Sequence, residues 1–142
     1  MLRAVLDSNV IVSGMIAKKG IPAQLLEAWR RQEWHLVVSP HIVGEVQRVL
    51  SLPKISRTYG LTPQDIADLV WLLEHRAILV PGRLAIPRTV RDPQDDPILA
   101  CAQEGEADYI VTGDLDLLSL EGHREILIVT PARFAALLAA AE

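Results

Sequence analysis

The chain has a single cysteine, Cys101, among 142 residues, which excludes an intramolecular disulfide and any cysteine-rich zinc site. Its four histidines, His35, His41, His75 and His123, lack metal-ligand spacing such as His-x-x-x-His. No stretch approaches the roughly 18 apolar residues of a membrane span. The apolar run at the N-terminus is too short for a signal peptide and ends at the carboxylate of Asp7. A cytoplasmic protein with no membrane association is therefore expected. Positive charge is also scarce, with 14 Lys and Arg against 18 Asp and Glu and a net charge of −4. That balance argues against a simple basic nucleic-acid binder. It is a weak guide to a metal enzyme, because acidic ligands create part of the deficit and bound cations offset it locally. There is no Gly-rich phosphate loop and no convincing Ser-His-Asp or Cys-His arrangement.

Hydrophobic residues are plentiful, at 50% of the chain, so a full core is within reach and disorder is not expected. A length of 142 residues fits one domain, spanning residues 1–142. Such a domain buries roughly two-thirds of the surface of its unfolded chain and needs no staple to fold. No repeat, linker or low-complexity segment interrupts it.

Ala4-Val5-Leu6 is a short apolar run and reads as a buried strand, with a helical segment after it. A second helix is expected over Pro22 to Gln32, with Leu25, Leu26 and Trp29 at helical spacing. Leu36-Val37-Val38 gives a second strand. Ser39-Pro40 then signals a helix start, and Ile42, Val43, Val46, Val49 and Leu50 share one side of that helix. Thr62-Pro63 opens a long helix to about His75, and Ala77 to Val80 form a third strand. Pro81 to Asp96 reads as a loop, followed by a helix from about Pro97 to Glu104. Tyr109-Ile110-Val111 and Ile126 to Val129 are the fourth and fifth strands, and Thr130-Pro131 caps a last, alanine-rich helix. Continuously apolar strands alternating with helices imply an α/β fold, a three-layer α/β/α sandwich around a mainly parallel five-stranded sheet.

In such sheets ligands bind beyond the carboxyl ends of the strands. Asp7 follows the first strand directly and Asp114 stands just after the fourth, so two strands deliver acids to one edge. A lone acid in such a place also serves as a helix cap, which leaves both readings open. Glu45 lies about 40° around its helix from Val49, at the boundary between core and solvent, where a side chain can reach into a cleft, but position alone favours an ordinary solvated helix glutamate. Asp92, Asp95 and Asp96 put three acids in five positions ahead of a helix, more than capping requires. Asp114 and Asp116 form a further close pair. Carboxylates gathered this closely repel unless a cation compensates. Mg²⁺ or Mn²⁺ suits oxygen ligands and lowers the pKa of a bound water. The chemistry expected is metal-assisted phosphodiester hydrolysis. Arg88 and Arg91, before the acidic segment, and Arg48, Lys54 and Arg57 upstream are candidate phosphate contacts or ordinary solvated charges.

These residues resemble the PIN domains, in particular the prokaryotic group described as toxin components of toxin–antitoxin systems. The resemblance covers nearly the whole chain. It rests on Leu6-Asp7-Ser8-Asn9-Val10 through Ser13-Gly14, Ser39-Pro40 through Glu45 and Val49-Leu50, Asp92-Pro93 through Asp96-Pro97-Ile98-Leu99 and Ala102, and Val111-Thr112-Gly113-Asp114-Leu115-Asp116. It implies strand order 3-2-1-4-5 and a Mg²⁺- or Mn²⁺-dependent endoribonuclease, the toxin of a pair, held inactive by a cognate antitoxin. It carries the family's catalytic, metal-binding acids onto Asp7, Glu45, Asp96 and Asp114, with Asp116 as an auxiliary metal ligand. Asn9 and Thr112 match supporting polar positions. Ser8 stands where many relatives have Thr, which keeps a hydroxyl. Asp92 and Asp95 stay open beside Asp96 for the third acid. RNA is the implied substrate, an antitoxin protein the implied partner, and a homodimer the expected assembly, dimers being the commonest closed oligomer. The competing readings are a metal-dependent DNA nuclease or phosphohydrolase using the same acids, and a non-catalytic nucleic-acid-binding module. The RNA target and cleavage motif are not written in the sequence.

Overall fold

A computed structural model describes residues 1–84 and 96–141 and, for residue 96, the helix backbone alone. Within these residues the elements run β1 (Arg3–Leu6), α1 (Ser8–Ile16), α2 (Ile21–Arg30), β2 (His35–Val38), α3 (Pro40–Leu50), α4 (Pro53–Thr58) and α5 (Pro63–Arg76). They continue with β3 (Ile78–Leu79), α6 (Asp96–Glu104), β4 (Tyr109–Val111), α7 (Leu115–Leu118), β5 (Gly122–His123), β6 (Ile126–Val129) and α8 (Pro131–Ala140).

Three helices begin as the hydroxyl–proline pairs suggest. The Ser39 hydroxyl accepts from the Ile42 N–H at 3.3 Å, and Thr130 accepts from the Arg133 N–H at 3.1 Å. At Thr62 the cap is reciprocal: its hydroxyl accepts from Asp65 N–H at 3.1 Å, and Asp65 accepts from Thr62 N–H at 2.9 Å. Each such cap satisfies a donor that the helix itself cannot, at a gain of about 1 kcal/mol.

The sheet is mainly parallel, in the order β3-β2-β1-β4-β6-β5. The five expected strands lie in the expected sequence across it, with Ile126–Val129 beside β4. The addition is β5, a two-residue strand that pairs antiparallel with β6 at the sheet edge. Its turn passes through Arg124, at φ 58°, with none of the Asn-Gly or Asp-Gly chemistry that advertises a hairpin. The short helices α4 and α7 were likewise not foreseen, being too brief to show a period. The third strand is half the expected length, and α6 starts one residue early, at Asp96.

Ala4, Val5 and Leu6 are consecutive and all wholly inaccessible, as are Leu36, Val37 and Val38. Successive side chains point to opposite faces, so uninterrupted burial means that both faces are covered. The core continues through Ile11, Leu25, Leu26, Ile42, Val46, Leu73 and Leu99 to Trp34 and Phe134, whose rings meet edge to face at 5.1 Å.

The chain winds from β1 outward to β2 and β3, then returns to lay β4 against the other side of β1. That reversal makes the carboxyl edge between β1 and β4 a topological switch point, where open α/β sheets bind their ligands. Helix α1 leaves this edge and packs closely on α2. A Cβ at Gly14 would come within 2.7 Å of the Pro22 carbonyl oxygen and 2.6 Å of Leu26 Cδ1. We expect Gly14→Ala to destabilise the protein by about 1–3 kcal/mol through overpacking, measured as a lowered urea midpoint with an unchanged slope.

Candidate active site at the carboxyl edge of the sheet

The pairing of β1 with β4 sets Leu6 opposite Val111, so the next residues of both strands emerge side by side. The backbone ladder extends one step further, with Asp7 N–H donating to the Val111 carbonyl at 2.9 Å. Beyond it the wholly buried Thr112 ties the two strands together through its side chain. Its hydroxyl donates to Asp7 Oδ2 at 2.9 Å and accepts from the Asp114 N–H at 3.0 Å. Both hydroxyl roles are thus used, which fixes its rotor and holds the Asp7 carboxylate in one orientation.

The capping alternative separates the two acids. Asp7 occupies the N-cap position of α1 yet makes no side-chain cap bond. Its carbonyl, not its carboxylate, accepts from Val10 and Ile11. A carboxylate that leaves helix donors unserved, while a neighbouring hydroxyl orients it, is available for other work. Asp114 does cap: Oδ1 accepts from Asp116 N–H at 2.7 Å and from Leu117 N–H at 3.3 Å, at the start of α7. Both bonds go to one oxygen, so Oδ2 takes no part in the cap. Asp116 lies partly buried in the first turn of α7.

Glu45 occupies the predicted boundary position on α3, with its side chain 37% exposed. Among the described residues it joins no group of three acids, and its carboxylate pairs with Arg48, one turn on, at 2.7 Å. That bond, aided by the charges of Arg48 and His41 and opposed by a smaller burial cost, lowers its pKa from the ordinary 4.5. Sequence spacing contains this partner at i+3, and the pairing fits the solvated-charge reading of Arg48 rather than a phosphate contact. Asn9 is exposed on the first turn of α1 and makes no hydrogen bond to Asp7 or Asp114 among the described residues. Arg88, Arg91, Asp92 and Asp95 lie outside the described residues, as does the side chain of Asp96, whose backbone opens α6.

Among the described residues, no three His, Cys, Asp or Glu side chains come together as a metal-holding group. What does converge is the Asp7–Thr112–Asp114 unit, whose carboxylate oxygens match the hard-donor preference of Mg²⁺ and Mn²⁺. Cys101 offers no competing nucleophile, since burial pushes its thiol up to about 12 despite a hydrogen bond with Ser39 and leaves almost no thiolate at neutral pH.

A sequence model of the family described as PIN domain matches residues 3–116. The chain belongs to the PIN-domain family. The matched region contains Asp7, Glu45, Asp96, Thr112, Asp114 and Asp116. An uncharacterized protein of Methanocaldococcus jannaschii is 28% identical over 126 residues, covering 89% of this chain and 79% of the relative. Among solved structures, VapBC2 from Rickettsia felis, bound to a DNA fragment from its promoter, matches with TM-score 0.59 and 15% identity. The match covers 91% of this chain and 98% of that one. FitAcB from Neisseria gonorrhoeae matches with TM-score 0.53 and 16% identity over the same shares. At those identities the likeness is one of PIN fold.

Two outcomes test this local chemistry. Thr112→Val removes the donor to Asp7 and strands the Asp114 N–H, and should cost about 2 kcal/mol by denaturant unfolding, while Thr112→Ser recovers most of it. Arg48→Ala should raise the Glu45 carboxyl toward its ordinary value in an NMR titration. Because the folded value is the lower one, the pair's stabilisation is present above the ordinary value. It is lost as pH falls through the folded one. Both partners are solvent-facing, so the effect on global stability should be slight.

Proposed function

We propose that this protein is a metal-dependent endoribonuclease hydrolysing RNA phosphodiester bonds, and the toxin of a toxin–antitoxin pair. Membership in the PIN family supports nuclease chemistry at large. The observation that carries the site is the Asp7 carboxylate, which stands at a helix N-terminus without capping it and is oriented by Thr112. On this reading Asp7, Asp114 and Asp96 hold Mg²⁺ or Mn²⁺, with Glu45 joining them once it leaves Arg48. Asp116 is an auxiliary metal ligand, Asp92 and Asp95 support the set or replace Asp96 as its third acid, and Asn9 supports it. Bound there, the metal would supply Lewis-acid stabilisation of the phosphoryl oxygens and a more acidic water.

The chain's own contribution is positional. The Asp7–Thr112–Asp114 unit holds acids at a switch point on rigid strands. Arg88 and Arg91 are proposed to offer charge to the RNA backbone. The whole of residues 1–142 acts as one PIN unit, assembling as a homodimer in the cytoplasm. A cognate antitoxin is proposed because the matched folds include VapBC2 and FitAcB.

Asp7→Asn should abolish Mn²⁺-dependent cleavage of RNA while leaving the circular dichroism spectrum and melting transition in place. Cleavage at the wild-type rate by the purified variant would sink the assignment. EDTA should stop the wild-type reaction and excess Mn²⁺ restore it. Parallel assays on single-stranded DNA and nucleoside monophosphates should show a preference for RNA. Faster hydrolysis of either alternative would replace the ribonuclease reading with the corresponding one.

A further inference from the structure

At the opposite, amino edge of the sheet lies a cavity of about 420 Å³ that the acids do not touch. Its wall includes Arg30 at the end of α2, Gln32 in the turn after it, His35 at the start of β2, and Leu72 and Arg76 on the last turns of α5. The buried indoles of Trp29 and Trp34 back it. Three features set it apart from an ordinary surface hollow.

Its lining has two arginines and no carboxylate, on a chain whose net charge is −4. Each arginine closes a helix and offsets its dipole. Among the described residues, however, neither makes an ion pair or a side-chain hydrogen bond. Both arginines therefore line the cavity with their guanidinium N–H groups lacking a protein acceptor, although Arg30 also borders a second hollow that holds Glu27 and Glu33. The wall behind them is also rigid. Trp34 Nε1 donates to the Leu25 carbonyl at 2.9 Å, and its ring stands against Phe134. Finally, Gln32, at φ 64°, is the left-handed residue that closes α2, with its N–H on the Trp29 carbonyl and the Glu33 N–H on the Ala28 carbonyl. Glutamine there places an amide, with both a donor and an acceptor, at the rim of the same cavity.

A space of a few hundred cubic ångströms with an apolar side and a few convergent polar groups is the usual make-up of a small-molecule site. We propose that this cavity binds a small organic anion with a ring-sized apolar body, its negative group held by Arg30 and Arg76. Nucleoside monophosphates and aromatic carboxylates share that chemistry.

Isothermal titration of the full chain with AMP and with indole-3-acetate, each beside its uncharged counterpart (adenosine, indole), tests the proposal. At least one anion should bind saturably at about 1 mM or tighter, and its counterpart at least tenfold more weakly. The partner that binds identifies the source. The Arg30→Ala/Arg76→Ala variant, both positions being solvent-exposed, should keep its near-ultraviolet spectrum and lose affinity at least tenfold. Asp7→Asn should bind as the wild type does. No saturable binding by either anion, equal affinity for the uncharged partners, or undiminished binding by the double variant would each overturn the proposal. So would a loss of binding on Asp7→Asn. None of these readouts passes through RNA cleavage, so the cavity and the nuclease reading stand or fall separately.

Discussion

The parallel pairing of β1 with β4 is the constraint on which the site depends. It aligns Leu6 with Val111 and thereby brings Asp7 and Thr112 together, although 105 positions separate them in the chain. Both strands are buried on both faces, so a slip of register would expose apolar side chains along the whole strand. The core's preference for one register is consequently also a preference for one placement of the carboxylates. Stability and site geometry share a single cause.

Within that frame the acids have different physical states. Asp7 is oriented by a buried hydroxyl and exempt from capping. Asp114 spends one oxygen on α7, which anchors it to a rigid turn, as a group poised for a cation requires. Glu45 is paired with Arg48 and carries its charge more readily for it. The three are prepared by a hydroxyl, a helix start and an ion pair respectively. On the proposed reading, a divalent cation would meet one acid already set, one half committed and one needing to exchange partners.

Asp7 and Asp114 stand where strands end, and Arg30 and Arg76 where they begin, although the amino edge also carries Glu106, Asp108 and Glu125 beside β4 and β6. The helices that leave and rejoin the sheet account for this in part, since acids suit helix N-termini and bases suit C-termini. The dipoles do not account for the lack of a carboxylate, among the described residues, in the lining of the cavity that Arg30 and Arg76 share.

How much of this was legible beforehand depends on the range of the interaction. The Ser39, Thr62 and Thr130 helix starts and the continuous apolar strands were readable because caps and burial patterns act over a few residues. The hairpin at Gly122–His123 and the helices α4 and α7 were not, being too short or lacking a turn signature. The sequence alone determined that acids would follow the first and fourth strands, because a strand that must be buried ends where polar residues begin. Whether those acids cap helices or stand clear of them was undecidable from one dimension, as aspartate suits both. Tertiary structure decided it, by bringing the Thr112 hydroxyl across the β1–β4 boundary to claim Asp7, and by leaving the Asp114 cap to one oxygen.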